Sequence, residues 1–253
     1  MISLNWVMNL PKSLTEEQFE KWYLGIHTGF AKETQGIMRY NINRYVSHQP
    51  KSAHGIFHRV AQEWWEDFDA MEAAWNSHSG LALLGDGQAN MGLDPGTLPG
   101  IAITEDLKLP VASPALFSTI KRGYQARSDG TISRVFGFGF CTLPLEELRS
   151  WYLKTFGDLG QDPLVREHVF GTSLGRKIQV GLLGSLPGEG QHMYDWIVEL
   201  WFDSNDDART FMDSPSGITL ADELERRSSG MLLGLTRGQE MLIQNVALPH
   251  VDE

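Results

Sequence analysis

Only one cysteine, Cys141, occurs in the chain, which excludes an internal disulfide and suits a reducing compartment. Positive charge is also scarce. Lys and Arg number 21 against 32 Asp and Glu, a formal net charge of -11, and no Lys/Arg cluster occurs. A protein that grips a phosphate backbone needs a basic face, so nucleic acid is not an expected partner. No run reaches the ~18–20 apolar residues that span a bilayer, so no membrane partner is expected either. The opening Met1-Ile-Ser-Leu-Asn-Trp lacks a basic stretch followed by an apolar one, so no secretory signal is read there. Together these absences give a cytoplasmic expectation. No His-x-x-x-His or Glu-x-x-His pair falls on a predicted helix, so no metal site is expected. The pairs Gly85-Asp-Gly87 and Gly171-Thr-Ser-Leu-Gly175 lack the strand–loop–helix context of a phosphate cradle. No Gly-x-Ser-x-Gly nucleophile elbow is present.

What is abundant is core. Hydrophobic residues make up 42% of 253, enough for one large domain or two small ones. Eight tryptophans supply either core or the walls of a site for flat aromatic ligands.

The chain repeats itself. Leu14-TEEQFEKWYL-Gly25 matches Leu143-PLEELRSWYL-Lys154, pairing Trp22 with Trp151, Tyr23 with Tyr152 and Leu24 with Leu153 at an offset of 129 (151 minus 22). A second block pairs Glu63 with Glu199, Trp65 with Trp201 and Asp67 with Asp203 at an offset of 136 (199 minus 63), and ends with Ser79-Gly80 against Ser216-Gly217. Two blocks in the same order predict tandem units, 1–110 and 115–253, joined by a linker over Pro110–Pro114.

Each unit reads β-α-β-β-α-β. In the first, Ile2–Met8 is a strand. Ser13 or Thr15 caps a helix with acidic Glu16-Glu17 in its first turn and Phe19, Trp22, Tyr23 and Ile26 on one face. Gly36 ends the helical region. Strands follow at Met38–Val46 and Ala61–Glu66, a helix begins at Asp67-Phe68-Asp69, and Ile101–Leu109 closes the unit. In the second, strands are expected at Val135–Thr142, His168–Leu174, Trp196–Phe202 and Gln239–Ala247, with helices at Leu145–Phe156 and Asp206–Met212. A hairpin over Leu116–Gln125 competes for the role of first strand. This is the α+β ferredoxin-like split motif. Its second sheet face must be buried, and two copies can bury those faces against each other around a closed cavity.

The run Glu16-Glu17-Gln-Phe-Glu-Lys-Trp-Tyr-Leu-Gly-Ile-His27, followed by Gly36-Ile-Met-Arg-Tyr40 and then Glu63-Trp-Trp-Glu-Asp-Phe68, resembles the EthD-like branch of the dimeric α+β barrel superfamily. Gln35-Gly36-Ile37 stands where Pro-Gly-Leu is usual. In the second copy Phe156 replaces the helix-end histidine. The resemblance implies an intrachain dimeric α+β barrel with its competent site in the first repeat. It also implies a lyase, dehydratase or isomerase acting without a cofactor on an aromatic or phenolic molecule. Relatives in the wider superfamily include cofactor-free monooxygenases and some haem proteins.

His27 is the leading general acid or base, the alternative being a helix C-terminal cap. Tyr40 is a candidate oxyanion donor or a satisfied core phenol. Strand alternation puts Tyr40, Ile42 and Arg44 on one face and Asn41, Asn43 and Tyr45 on the other. The two asparagines then line a polar cavity or face water. Ser3, Asn5 and Val7 are expected toward the cavity, with Leu4, Trp6 and Met8 against helices. His48, His54 and His58 surround the second hairpin, and His78 is read as capping the second helix. Glu63 and Glu199 recur in apolar strands, which favours a shared structural role over catalysis. Cys141 is read as core. The substrate-binding candidates are Asn5, Trp22, Tyr23, Asn41, Asn43, Arg44, His54 and Trp64, with His27 and Tyr40 catalytic. The partner is a small hydrophobic or aromatic substrate, and the chain acts as a monomer or homodimer. A phenol monooxygenase, a haem protein with an axial histidine, and a non-catalytic binding protein remain as alternatives.

Overall fold

The computed structural model describes residues 1–48, 57–91, 100–109, 131–181, 184–188 and 193–242. The expected hairpin at Leu116–Gln125 and the Pro110–Pro114 linker lie outside these residues.

Strand β1 (Ile2–Met8) forms as expected and is buried on both faces. Thr15 then caps α1 (Glu16–Trp22) with a complete capping box: its hydroxyl accepts from Gln18 N, and the Gln18 amide oxygen accepts from Thr15 N at 2.9 Å. Such a cap is worth about 1 kcal/mol. The helical path continues through a π turn (Tyr23–His27) into α2 (Thr28–Glu33). His27 is therefore mid-path, and the expectation that it ends a helix is corrected. Gly36 turns the chain with φ of +89°, where a side chain would strain the backbone. β2 (Arg39–His48), β3 (Arg59–Trp65), α3 (Phe68–Trp75), α4 (His78–Met91) and β4 (Gly100–Leu109) complete the first repeat. Asp67 caps α3, while His78 opens α4 instead of closing α3.

The second repeat runs β5 (Thr131–Cys141), α5 (Leu145–Phe156), β6 (Glu167–Ser173), a small hairpin of β7 (Ile178–Val180) and β8 (Gly184–Leu186), β9 (Trp196–Phe202), α6 (Asn205–Met212), α7 (Pro215–Arg226) and β10 (Ser228–Leu242). Its last strand starts eleven residues before the expected Gln239. Gly230, Gly234 and Gly238 disguise it, because glycine reads as a turn. Gly238 is required there, since a Cβ would lie 2.2 Å from Asn43 Oδ1 on the paired strand.

Eight strands close into one antiparallel barrel in the order β1-β3-β2-β10-β5-β9-β6-β4. Each repeat contributes four, and the seams β2–β10 and β4–β6 join the repeats. Closure removes the edges that two open sheets would expose. The chain is thus two ferredoxin-like repeats in an intrachain dimeric α+β barrel.

Packing forms three cores. Leu4, Met8, Phe19, Tyr23, Tyr40 and Trp65 belong to the layer between the first sheet and its helices. Tyr152, Phe170, Leu200 and Phe211 belong to the equivalent layer of the second. Val7, Tyr45, Phe136, Phe138, Tyr194 and Leu232 fill one end of the barrel. The alternation expected for Ser3/Asn5/Val7 against Leu4/Trp6/Met8 matches this division.

The inner space is occupied by side chains. An eight-stranded barrel is just wide enough for them. Beyond the apolar end lies a polar lattice. Gln62 Nε2 donates to Asn5 Oδ1 at 2.9 Å and to Glu199 Oε1 at 2.5 Å, and Gln62 Oε1 accepts from Asn43 at 2.9 Å and Arg134 at 2.5 Å. Arg134 pairs with Glu199 at 3.0 Å, both fully buried. Where the sequence suggested a closed cavity between the sheets, the described residues place this lattice.

The match of Glu63 with Glu199 is also corrected. Asp67 and Ser204 cap equivalent helices, Gly80 and Gly217 sit equally tightly against the preceding helix, and β3 and β9 end at Trp65 and Phe202. All three pairs are 137 apart. Glu63 therefore corresponds to Leu200, and Glu199 to Gln62. A one-residue slip in a strand exchanges its faces. Glu63 faces helices and Glu199 faces the barrel.

Candidate active site

The helix-facing side of the first sheet gathers the chemistry. The π turn widens the helical path between α1 and α2, a device frequent at functional sites, and places His27 beside α4. His27 Nδ1 lies 2.7 Å from Asp86 Oδ2, and Trp22 Nε1 donates to Asp86 Oδ1 at 3.2 Å. Gly87 leaves room for the imidazole: a Cβ there would sit 3.4 Å from His27 Cε1. The ring lies 5.0 Å from both the Trp22 and Tyr23 rings. Burial pushes the His27 pKa down, against the opposing pull of Asp86, so the ring is neutral near pH 7. With Nδ1–H donated to the carboxylate, Nε2 carries the lone pair. His27 retains slight exposure, with 14% of its side chain open.

Deeper in the same layer, the Tyr23 and Tyr40 hydroxyls are 3.2 Å apart. Burial raises the Tyr23 pKa to about 12 and that of Tyr40 well above 10, so both phenols stay protonated donors. Arg59 lies over the Tyr23 ring at 4.8 Å and forms an ion pair with Glu20, which His58 Nε2 also contacts at 2.8 Å. Burial works against ionising Glu20, but hydrogen bonds from His58 and Arg59 hold its pKa at about 2.

The structure thus brings His27, Tyr40, Trp22 and Tyr23 together. It places Asn5, Asn41, Asn43 and Trp64 on the opposite face of the sheet, inside the barrel. There Asn5 donates to Ser3 Oγ at 2.8 Å, and Trp64 lies beneath Arg39 at 5.1 Å. Arg44 is half-exposed and pairs with Glu16. His54 lies outside the described residues, as does the His48 side chain. Sequence reasoning missed Asp86, because Gly85-Asp-Gly87 is weighed there only as a phosphate cradle and no helix is expected over it. It also missed Glu20 and Arg59, whose meeting depends on the α1–β3 contact. His27, His58 and His168 each have a ring nitrogen engaged by a side chain. Among the described residues no three His, Cys, Asp or Glu side chains converge as a metal set, and no helix is long and apolar enough to cross a membrane.

The second repeat keeps only part of this arrangement. Phe156 stands at the position of His27. Tyr152 matches Tyr23, and its hydroxyl meets His168 Nε2 at 2.7 Å where Tyr23 meets Tyr40. Burial drives the His168 pKa down to about 3.

Residues 11–92 match the family model described as EthD domain. The matched span lies within the first repeat. No curated protein sequence matches the chain. Among solved structures, an anthrone oxidase-like protein is similar at 12% identity, covering 95% of this chain and 93% of its own, with a TM-score of 0.59. A protein from Fusobacterium nucleatum described as a monooxygenase is similar at 9% identity, with the same coverage of both chains and a TM-score of 0.54. An EthD-family protein from Bacillus halodurans is 19% identical, covers 42% of this chain and 99% of its own, and has a TM-score of 0.37. The whole-chain likenesses show a shared fold, and His27 and Asp86 both lie within the span that matches the EthD model.

Proposed function

We propose that the protein is an enzyme that moves a proton on a small hydrophobic, aromatic or phenolic substrate, using the helix-facing side of the EthD repeat and no cofactor. The observation that carries this reading is the His27–Asp86 pair on the π turn. A neutral imidazole whose Nδ1–H is held by a carboxylate presents Nε2 as a base, and the carboxylate stabilises the imidazolium formed when it takes the proton. Tyr23 and Tyr40, protonated throughout the working range, are donors for the oxyanion left on the substrate. Trp22 and Tyr23 provide flat walls. Base-initiated lyase, dehydratase and isomerase steps begin with such a transfer.

A second reading is a cofactor-free monooxygenase of an electron-rich phenol. It is favoured by the descriptions of the whole-chain relatives as anthrone oxidase-like and as a monooxygenase. The first step, removal of a proton by His27, is common to both.

The test uses anthrone and a panel of hydroquinones with and without dioxygen. Turnover in air accompanied by oxygen uptake selects the oxygenase, whereas anaerobic turnover or deuterium exchange at the acidic C–H selects proton-transfer chemistry. In either case His27→Ala lowers kcat by about 100-fold or more, the usual weight of a positioned base. Binding without turnover in the wild type would make the protein a carrier. Full activity in His27→Ala would remove the imidazole from the mechanism.

A further inference from the structure

Two carboxylates, a part-buried Glu20 and a buried Glu63, share the helix-facing layer of the first repeat, and their surroundings differ. Glu20 is held by Arg59 and His58. Glu63 is only 3% exposed, and its Oε2 has no hydrogen-bond partner among the described residues. Arg59, on the same strand face, is turned toward Glu20. Glu63 sits directly across from Tyr40 on β2 and from Leu4 on β1. When ionised, it disfavours a negative charge on both Tyr40 and Tyr23. In the second repeat the matching position is Leu200, and the base position there is Phe156. Carboxyl and imidazole are therefore present together in one repeat and missing together in the other. An ionised carboxylate in such a place, without a cation or a full set of donors, is strongly disfavoured.

We propose that Glu63 is a positioning acid of the His27 site, a neutral carboxyl group that orients the Tyr40 and Tyr23 hydroxyls as donors toward a substrate oxyanion. This rests on the proposed reading of the first-repeat site. The substrate proton passes to His27 Nε2 and its electron pair stays on the substrate as the oxyanion. No bond to Glu63 forms or breaks. The ligand class that fits is a phenolate or an enolate, because a second neutral acid behind two phenols favours a localised negative oxygen. Burial pushes the Glu63 pKa up to about 8, against the weaker opposing influence of the neighbouring Trp6 and Trp65 indoles. The other titratable or charged groups of this layer are Tyr40 from β2, Tyr23 and His27 from the π turn, and Asp86 from α4. Glu20 from α1 is there too, with its partners Arg59 and His58.

4-Nitrophenol, which absorbs differently as phenol and phenolate, serves as the probe in equilibrium titrations of the full chain. Wild-type affinity for the phenolate falls about tenfold per pH unit above about 8, as Glu63 ionises. Glu63→Gln, which copies the neutral acid, holds its affinity across the same range. Glu63→Leu, the residue type of the second repeat, folds but binds weakly at every pH. Tyr23→Phe tells the two readings apart. If it weakens binding while Glu63→Gln keeps the alkaline fall, the Glu63 inference alone is overturned. If wild-type affinity is flat with pH, that inference is overturned too. If Tyr23→Phe changes nothing, or 4-nitrophenol does not bind at all, the site reading fails and this inference with it.

Discussion

Replacing Arg134 by Met tests the lattice that fills the barrel. Arg134 and Glu199 are both fully buried and pair at 3.0 Å. The guanidinium also lies over the Trp201 ring at 3.9 Å and donates to Gln62 Oε1. Methionine preserves much of the volume but removes the cation. Glu199 then keeps two neutral donors, Trp201 Nε1 at 3.0 Å and Gln62 Nε2 at 2.5 Å, and has no positive partner among them. Breaking one side of a buried pair costs about 3–5 kcal/mol. For a chain of this size each kcal/mol moves Tm by about 2–4 °C, so the loss is about 6–20 °C. Circular dichroism melts and urea titrations read it. The double variant Arg134→Met with Glu199→Gln removes both charges and recovers most of the loss. An Arg134→Met protein melting within about 2 °C of wild type would refute the reasoning, because the lattice would then not depend on its cation. A double variant no better than the single would show that packing, and not the stranded charge, sets the cost.

Three further expectations concern other parts of the chain. The folded-state pKa of His168 lies near 3, below its unfolded value, so the unfolded chain takes the proton first and stability falls as pH drops below about 6.5. At pH 5 this group alone accounts for about 2 kcal/mol of that loss, and His168→Phe removes this part of the acid sensitivity in pH-dependent denaturant titrations. Gly80→Ala and Gly217→Ala each drive a Cβ into the backbone of the preceding helix, at 2.3 Å from Ala74 O and 2.2 Å from Phe211 O, so both lose about 3 kcal/mol of stability by urea unfolding. Gly238→Ala crowds Asn43 at the β2–β10 seam and costs about 1–3 kcal/mol, read the same way.

The fold was legible where physical signals reinforced one another. Trp-Tyr at 22–23 and 151–152 recurs because both helical paths turn these rings toward a sheet, while Leu24 and Leu153 stay exposed. The capping box at Thr15 and the alternation in β1 and β2 are local signals that tertiary packing did not override. Legibility failed where the signal was one residue wide. Aligning Glu63 with Glu199 by likeness of letters put two carboxylates in one role. The helix caps instead set a register in which one faces the helices and the other faces the barrel. Helix α4 was hidden by the glycines flanking Asp86, so the carboxylate that orients His27 was not foreseen. The last strand was hidden because its barrel face carries glycine at the seam. For the asparagines of β2 the sequence left a polar cavity or water open, and the structure buries them with Asn5 inside the barrel. What they line is a lattice built with Gln62, Arg134 and Glu199, and only the closed barrel brings those residues together.

The claim on which the functional account rests is that His27 is a neutral base whose Nδ1–H is held by Asp86. Nitrogen-15 NMR of the histidine rings at pH 7 tests this most directly, in the wild type and in Asp86→Asn. The account predicts a neutral wild-type ring with the proton on Nδ1 and a bare Nε2. In Asp86→Asn that tautomer loses its preference and the ring titrates at lower pH than in the wild type. A cationic ring at pH 7, a proton fixed on Nε2, or a spectrum unchanged by Asp86→Asn would contradict it.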